Sequence, residues 1–189
     1  MNEEKIYIKH MVCPRCVMTA ERVFREAGVE PLSVELGIVT LSRPLPEDTM
    51  AAIRARLEEF GFEVIDDKRK RLVEQIRVGV IEFVRQPERR DKQNLSDYLR
   101  DKCRREYSFL SKLYTEINGV SVEKYYIAQR VEYVKELLIY DELTVSEIAD
   151  KVGYSSVAHL SAQFRNVTGI SPTKFKQLKQ RRLRSIDQI

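Results

Sequence analysis

The chain has 189 residues, 43% of them apolar and 33% charged, with seven Gly, six Pro and a net charge of +4. That composition builds a core, which excludes a wholly disordered chain, a collagen-like repeat and a mucin-like stalk, and the length suits one full domain or two small ones. No apolar run approaches the ~18 residues that span a bilayer. Met1-Asn2-Glu3-Glu4-Lys5 lacks the basic start and apolar stretch of an export signal, so the expected location is the cytoplasm and no membrane partner is expected.

Charge divides the chain. Residues 1–67 hold 8 Lys and Arg against 13 Asp and Glu, a net of −5, whereas residues 68–189 hold 25 against 16, a net of +9. A basic body behind an acidic head points to two units with different partners, one of them a polyanion; uneven solvation is the plain alternative. Three Cys is an odd number, and in a reducing compartment they are poor disulfide candidates.

Lys5 to Lys9 alternate polar and apolar residues as a half-buried strand does. From Pro14 to Gly28 the period becomes helical, with Val17, Ala20, Val23 and Phe24 on one face and Gly28 as the C-terminal cap. Val34–Leu36 and Ile38–Leu41 read as two strands meeting at Gly37. A helix from Glu47 to Phe60 carries Met50, Ile53 and Leu57 inward, and Phe62–Ile65 forms a last strand. The order is strand, helix, strand, strand, helix, strand, the ferredoxin-like split βαβ arrangement.

Between the first strand and first helix lies His10-Met11-Val12-Cys13-Pro14-Arg15-Cys16. Cys13 is placed at the N-cap and Pro14 at the first helical position, so both thiols face the positive end of the helix, which favours thiolate. Two thiolates on a shallow loop suit a soft ion of low coordination such as Cu(I), whereas structural zinc wants four ligands. A thiol redox switch and a purely structural role are the alternatives. Met11 reads as a loop-packing residue.

After Asp66-Asp67-Lys68-Arg69 the pattern is helical throughout. Leu72, Ile76, Val80 and Phe83/Val84 form one stripe, and Pro87 to Gln93 is a charged break. Three more helical stretches follow, then a long helix from Val122 to about Tyr140. An internal repeat runs through this region. Leu110-Ser111-Lys112-Leu113-Tyr114, Gly119-Val120-Ser121 and Lys124-Tyr125 recur 50 residues on as Leu160-Ser161-Ala162-Gln163-Phe164, Gly169-Ile170-Ser171 and Lys174-Phe175. In the second copy Thr144 and Glu147 form a capping box, Ile148, Ala149 and Val152 an apolar face, and Gly153 a tight turn. Small Ala149 permits the close helix crossing of a helix–turn–helix.

Glu147-Ile148-Ala149, Val152-Gly153-Tyr154-Ser155-Ser156, His159-Leu160-Ser161, Phe164-Arg165, Gly169-Ile170-Ser171-Pro172 and Phe175-Lys176 together resemble the C-terminal signature of AraC-type transcription regulators. Gln129 to Leu138 is similar to that family's linker helix, and the resemblance covers roughly residues 70–180. It implies two helix–turn–helix units whose recognition helices enter successive major grooves on one face of double-stranded DNA, with RNA polymerase as a frequent partner. An 18-residue linker helix spans ~27 Å, which fits two grooves ~34 Å apart.

The outward residues are then the candidate DNA contacts. In the first unit these are Ser108, Ser111, Lys112 and Thr115; in the second, Ser155, Ser156, Val157, Ala158, Ser161, Ala162 and Arg165. Lys112 and Arg165 can reach guanine or phosphate, the serines phosphate or base edges, and Val157 and Ala158 thymine methyls. The family often carries a long polar residue where Ala162 stands. Arg100 is placed opposite Ala149 and Arg104 opposite Gly153, which makes the first unit the less regular one. Cys103, opposite Val152, reads as a buried core thiol, and His159 as an interior packing residue. Lys174, Lys176, Lys179, Arg181, Arg182 and Arg184 form a basic tail that either grips phosphates or is a solvated helix end.

The order of the first 67 residues, with Met-x-Cys-x-x-Cys on the first loop and Gly61-Phe62 before the last strand, resembles the heavy-metal-associated domain of copper chaperones and metal-pumping ATPases. That family usually has Gly where His10 stands, and His10 either adds a nitrogen ligand or marks a drifted site.

The expected architecture is therefore an α+β ferredoxin-like βαββαβ domain over residues 1–67, followed over 68–189 by an all-α domain with two helix–turn–helix units joined by a long helix. The expected function is a DNA-binding transcription regulator responding through Cys13/Cys16 to a soft metal ion or to thiol state. A constitutive DNA binder whose head is a protein–protein or dimerisation module is the alternative, and a thiol oxidoreductase or metal carrier a third. No paired catalytic carboxylates, phosphate-cradling glycine loop or nucleophile–His arrangement stands out, so no enzyme activity is expected.

Overall fold

A computed structural model describes residues 3–178 of the chain. They divide into two compact units, with the boundary between Gly79 and Val80.

The first unit follows the expected order: β1 (Glu4–Lys9), α1 (Pro14–Glu26), β2 (Ser33–Glu35), β3 (Ile38–Leu41), α2 (Glu47–Glu59) and β4 (Glu63–Ile65). The four strands form one antiparallel sheet in the order β2-β3-β1-β4. Alternation sets its two faces. Ile6 and Ile8 of β1, with Val39, Leu41 and Val64, meet Ala20, Val23 and Phe24 of α1 and Ile53 and Leu57 of α2 in one core, which also takes in Met11.

The other face carries Tyr7, paired in register with Ile38 on one side and Ile65 on the other. A third helix, α3 (Lys68–Arg85), begins here. Gln75 donates to Tyr7 Oη at 3.1 Å, Arg71 donates to the Ile65 carbonyl at 2.7 Å, and the Arg71 guanidinium lies 5.3 Å from the Tyr7 ring. Gly37, at φ +75°, gives its carbonyl to Ile8 N at 2.9 Å and sits so near α3 that a Cβ there would lie 3.0 Å from Val78 Cγ2. The first turns of α3 thus belong to the sheet unit, and the division falls within α3 at 79/80 instead of before it at 67/68.

The second unit holds the end of α3, a single turn α4 (Pro87–Arg90) inside the charged break, α5 (Leu95–Cys103), α6 (Tyr107–Asn118), α7 (Val122–Tyr140), α8 (Val145–Val152) and α9 (Val157–Thr168), with residues 172–178 also helical. Two helices, not three, lie between the break and the long helix. At 19 residues α7 is ~28 Å long.

Caps repeat at the spacing seen in the sequence. Asn94 accepts from Asp97 N and Thr144 from Glu147 N; Ser121 accepts from Lys124 N and Ser171 from Lys174 N. Gly119 and Gly169 both end their helices in the left-handed region. Core aromatics repeat too, with Tyr114–Tyr125 and Phe164–Phe175 each 5.6 Å between ring centroids. Around the second unit, Val131, Val134 and Leu138 of α7 pack with Ile148, Ala149, Val152, Leu160 and Phe164.

The repeat is broken in one place. Helix α5 has nine residues where α8 has eight, and residues 104–106 link α5 to α6 where 153–156 link α8 to α9. Counted from the N-caps, Leu99 takes the place of Ala149; both are buried, and Arg100 is exposed beside them. Arg104 does stand where Gly153 stands, and adopts the same left-handed cap, at φ 53° against 78°. The first unit is therefore a regular helix–turn–helix with a longer first helix and a shorter turn.

Candidate nucleic-acid interface

In α6 the buried Leu110, Leu113 and Tyr114 fix one face, and Ser108, Lys112 and Thr115 are exposed opposite it. Ser111 is half-buried and hydrogen-bonds to the Tyr107 hydroxyl, which itself donates to Glu123 at the start of α7. Burial and that carboxylate push the Tyr107 phenol up, and the same bond holds the Glu123 carboxyl down. The entry of α6 is thereby tied to α7. Thr115 turns its hydroxyl back to the Ser111 carbonyl at 2.8 Å, so its outward contribution is chiefly its methyl group.

In α9, Leu160 and Phe164 are buried and Val157, Ala158, Ala162 and Arg165 are exposed, while Ser161 is half-buried. Ser156 is the N-cap and accepts from His159 N at 3.1 Å. Ser155 is exposed, with its Oγ 3.1 Å from His159 Nδ1. Here the sequence expectation for His159 fails: the ring is exposed, set edge-on to Tyr154 at 5.4 Å. With Leu160 and Phe164 filling the core, position 159 falls on the flank of the outward face. Phe109, 50% exposed, holds the matching place on α6 and was also missed.

Two arginines position α9 from behind. Arg130 of α7 donates to the Gly153 carbonyl at 2.8 Å, and its guanidinium carbon lies 3.6 Å from the Tyr154 ring centroid. Arg90 donates to the Val84 carbonyl at 2.6 Å and to the Lys151 carbonyl, joining the end of α3 to the end of α8. Gly153 is open enough to admit it: a Cβ there would lie 2.8 Å from Arg90 Nε. Burial lowers the Arg90 pKa from its ordinary value. Neither arginine carries a local signal of this role.

In the first unit Cys13 is the N-cap of α1 with Pro14 following, and its Sγ lies 3.3 Å from Cys16 Sγ. Burial raises the Cys13 thiol, but hydrogen bonds from the Cys16 backbone and side chain and from the Arg15 backbone, with the Arg15 charge, bring it below its ordinary value. Two converging, half-exposed sulfurs suit a soft ion of low coordination. Among the described residues no group of three His, Cys, Asp or Glu side chains is arranged to hold a metal. Met11 is fully buried in the core, as a packing residue. His10 has φ 72°, the left-handed region a glycine takes most readily, and its Nδ1 pairs with the Gly61 carbonyl at 3.1 Å.

Cys103 is buried, which pushes its thiol up to about 11. Of the basic tail, Lys176 pairs with Asp141, and Lys179, Arg181, Arg182 and Arg184 lie outside the described residues. No helix among the described residues is long and apolar enough to cross a membrane.

Residues 105–178 match the family model described as a helix-turn-helix domain. The Msm operon regulatory protein of Streptococcus mutans is 31% identical over 70 residues, 37% of this chain and 25% of that protein. An uncharacterized HTH-type transcriptional regulator of Staphylococcus aureus is 33% identical over 69 residues, 36% of this chain and 9% of that protein. The chain thus spans a quarter or less of the length of these curated relatives. Among solved structures, the C-terminal domain of AraT, a response regulator from Geobacillus stearothermophilus, aligns over 59% of this chain and 88% of its own, with TM-score 0.51 and 22% identity. A DNA-binding transcriptional dual regulator from Escherichia coli K-12 aligns over 58% and 93%, with TM-score 0.50 and 16% identity. Residues 105–178 form a helix–turn–helix domain, and the solved structures share its fold.

Proposed function

We propose that the chain is a sequence-specific, DNA-binding transcription regulator of the AraC type and not an enzyme. The observation that carries this reading is the pair of matched helix–turn–helix units, capped and packed alike 50 residues apart, on either side of α7. Ser108, Ser111, Lys112 and Thr115 of α6, and Ser155, Ser156, Val157, Ala158, Ser161, Ala162 and Arg165 at α9, are the proposed contacts. The long side chains of Lys112 and Arg165 supply the polar reach; the small apolar residues of α9 suit thymine methyls. Selection of genomic fragments by the purified, reduced protein tests the reading. Enrichment of a site with two elements ~10 bp apart supports it, and no enriched sequence refutes it.

The finer part of the proposal concerns the head, read as a ferredoxin-like domain of the heavy-metal-associated kind. Its support is the βαββαβ order, the β2-β3-β1-β4 sheet and the paired sulfurs of Cys13 and Cys16. These two residues would hold a soft ion such as Cu(I), which would supply a positive charge to thiolate ligands when bound. The loop also touches α3, where the backbone N–H of His10 bonds to buried Glu74. Repeating the selection with Cu(I) tests this part. An enrichment that moves with Cu(I) in the wild type and not in the Cys13→Ser/Cys16→Ser protein supports a sensor; an unmoved one favours the constitutive alternative with a docking head.

A further inference from the structure

The turn between α5 and α6 carries a charge cluster that the fold does not require. Arg100, Arg104 and Arg105, with Asp101 and Glu106, line an open surface cavity of about 580 Å³. Arg100 is engaged, with Asp97 at 2.9 Å and Asp101 at 3.5 Å. Arg104 and Arg105 are exposed and form no ion pair among the described residues; Arg105 reaches only the Arg104 carbonyl, at 3.4 Å.

Backbone geometry makes Arg104 the more informative of the two. Its φ of 53° is one an L side chain adopts at a cost, and the matching position in the second unit is Gly153. Glycine would close this turn with less strain, so the backbone does not account for an arginine here; an outlier of this kind is a pointer to function. The three-residue turn then sets Arg104 and Arg105 directly before α6, whose exposed face begins at Ser108 and continues with Lys112.

We propose that Arg104 and Arg105 bind phosphodiester oxygens of duplex DNA beside the first recognition helix, holding that helix in register on the backbone. The inference rests on the DNA-binding reading above and adds a site to it. Guanidinium forks match phosphate geometry, and backbone contacts of this type fix orientation without reading sequence. The second unit builds its turn differently: Gly153 stands at the cap, and the nearby Arg90 and Arg130 are spent on backbone carbonyls. The arginine grip on phosphate is therefore assigned to the first turn.

Equilibrium binding of the full chain is measured from 50 to 200 mM salt on a selected duplex and on one of unrelated sequence. Wild type, Arg104→Gly, Arg104→Gly/Arg105→Gln and Arg25→Gln are compared, the last removing an exposed cation of the first unit. Each lost phosphate contact lowers the slope of log K against log salt by ~0.9, so the double variant falls by about 1.8 and Arg104→Gly by about 0.9, alike on both duplexes. Arg104→Gly also keeps or raises Tm, which separates lost contact from lost fold. An unchanged slope in the double variant overturns the assignment, as does an equal fall in Arg25→Gln or a loss confined to the selected duplex. If the wild type binds neither duplex, the DNA-binding reading fails first and the phosphate site with it.

Discussion

Gly153→Ala exposes how the second recognition helix is held in place. The residue sits at φ +78°, where an added Cβ costs ~1–2 kcal/mol from backbone sterics alone. That Cβ would also lie 2.8 Å from Arg90 Nε, closer than atoms pack, and would push the guanidinium off the Val84 and Lys151 carbonyls. Charge-assisted hydrogen bonds contribute ~1.5–3 kcal/mol each when buried. Arg90 is only partly buried, so we discount the pair to about 2 kcal/mol in total. Gly153→Ala should therefore destabilise by about 3 kcal/mol and Arg90→Ala by about 2. In the double variant the clash has nothing to strike, and only the backbone cost is added to the loss of Arg90. The cycle thus comes out about 2 kcal/mol short of additive. Urea unfolding of the four proteins, with midpoint and slope both fitted, measures it. Additivity within 0.5 kcal/mol would refute the contact as the cause.

Other expectations follow from the same geometry. Phe164→Ala, emptying a fully buried site among Leu160, Ile148 and Val134, should cost ~3–5 kcal/mol in the same unfolding assay. Thr144→Ala removes one half of the α8 capping box and should cost ~1 kcal/mol, with Ser→Ala at the exposed position 108 close to neutral as a control. In timed alkylation of the reduced native protein at pH 8, Cys13 should be modified well before Cys103, whose thiol burial pushes up to about 11; equal rates would contradict the burial. Burial raises the Glu74 carboxyl, so the folded state holds that proton more tightly than the unfolded one. Stability should then decline as pH rises from the ordinary carboxylate range through the raised value, and Glu74→Gln should flatten that decline in urea midpoints taken from pH 4 to 8.

Much of this molecule is written in short stretches of sequence. A helix needs only its own period and caps, so the sequence places α1, α2 and α7 to within a residue or two, and the N-cap positions of Cys13 and Thr144 agree with the structure. Much of the outward faces of α6 and α9 is legible for the same reason, since Leu110 and Phe164 point inward and leave Ser108, Lys112, Thr115, Val157, Ala158, Ala162 and Arg165 exposed, although Ser111 and Ser161 are half-buried. The repeat at 50 residues made the two units recognisable as copies.

What tertiary structure alone decided are the partnerships between distant segments. The stripe on α3 does not say which surface covers it, and only the approach of Gln75 and Arg71 to Tyr7 gives its first turns to the sheet. Leu99, not Arg100, stands opposite Ala149, as the 50-residue offset places it, whereas the left-handed cap at Arg104 falls one residue past the position that offset matches to Gly153, because one residue has moved from turn to helix. His159 was expected inside, yet Leu160 and Phe164 already fill that core and leave it on the flank. Arg90 and Arg130 look in sequence like any solvated cations; it is the carbonyls of Lys151 and Gly153, brought close by folding, that give them their work. Local pattern specifies each element because its hydrogen bonds close within a few residues, whereas the pairing of elements is settled by which buried surfaces and polar groups find one another across the chain.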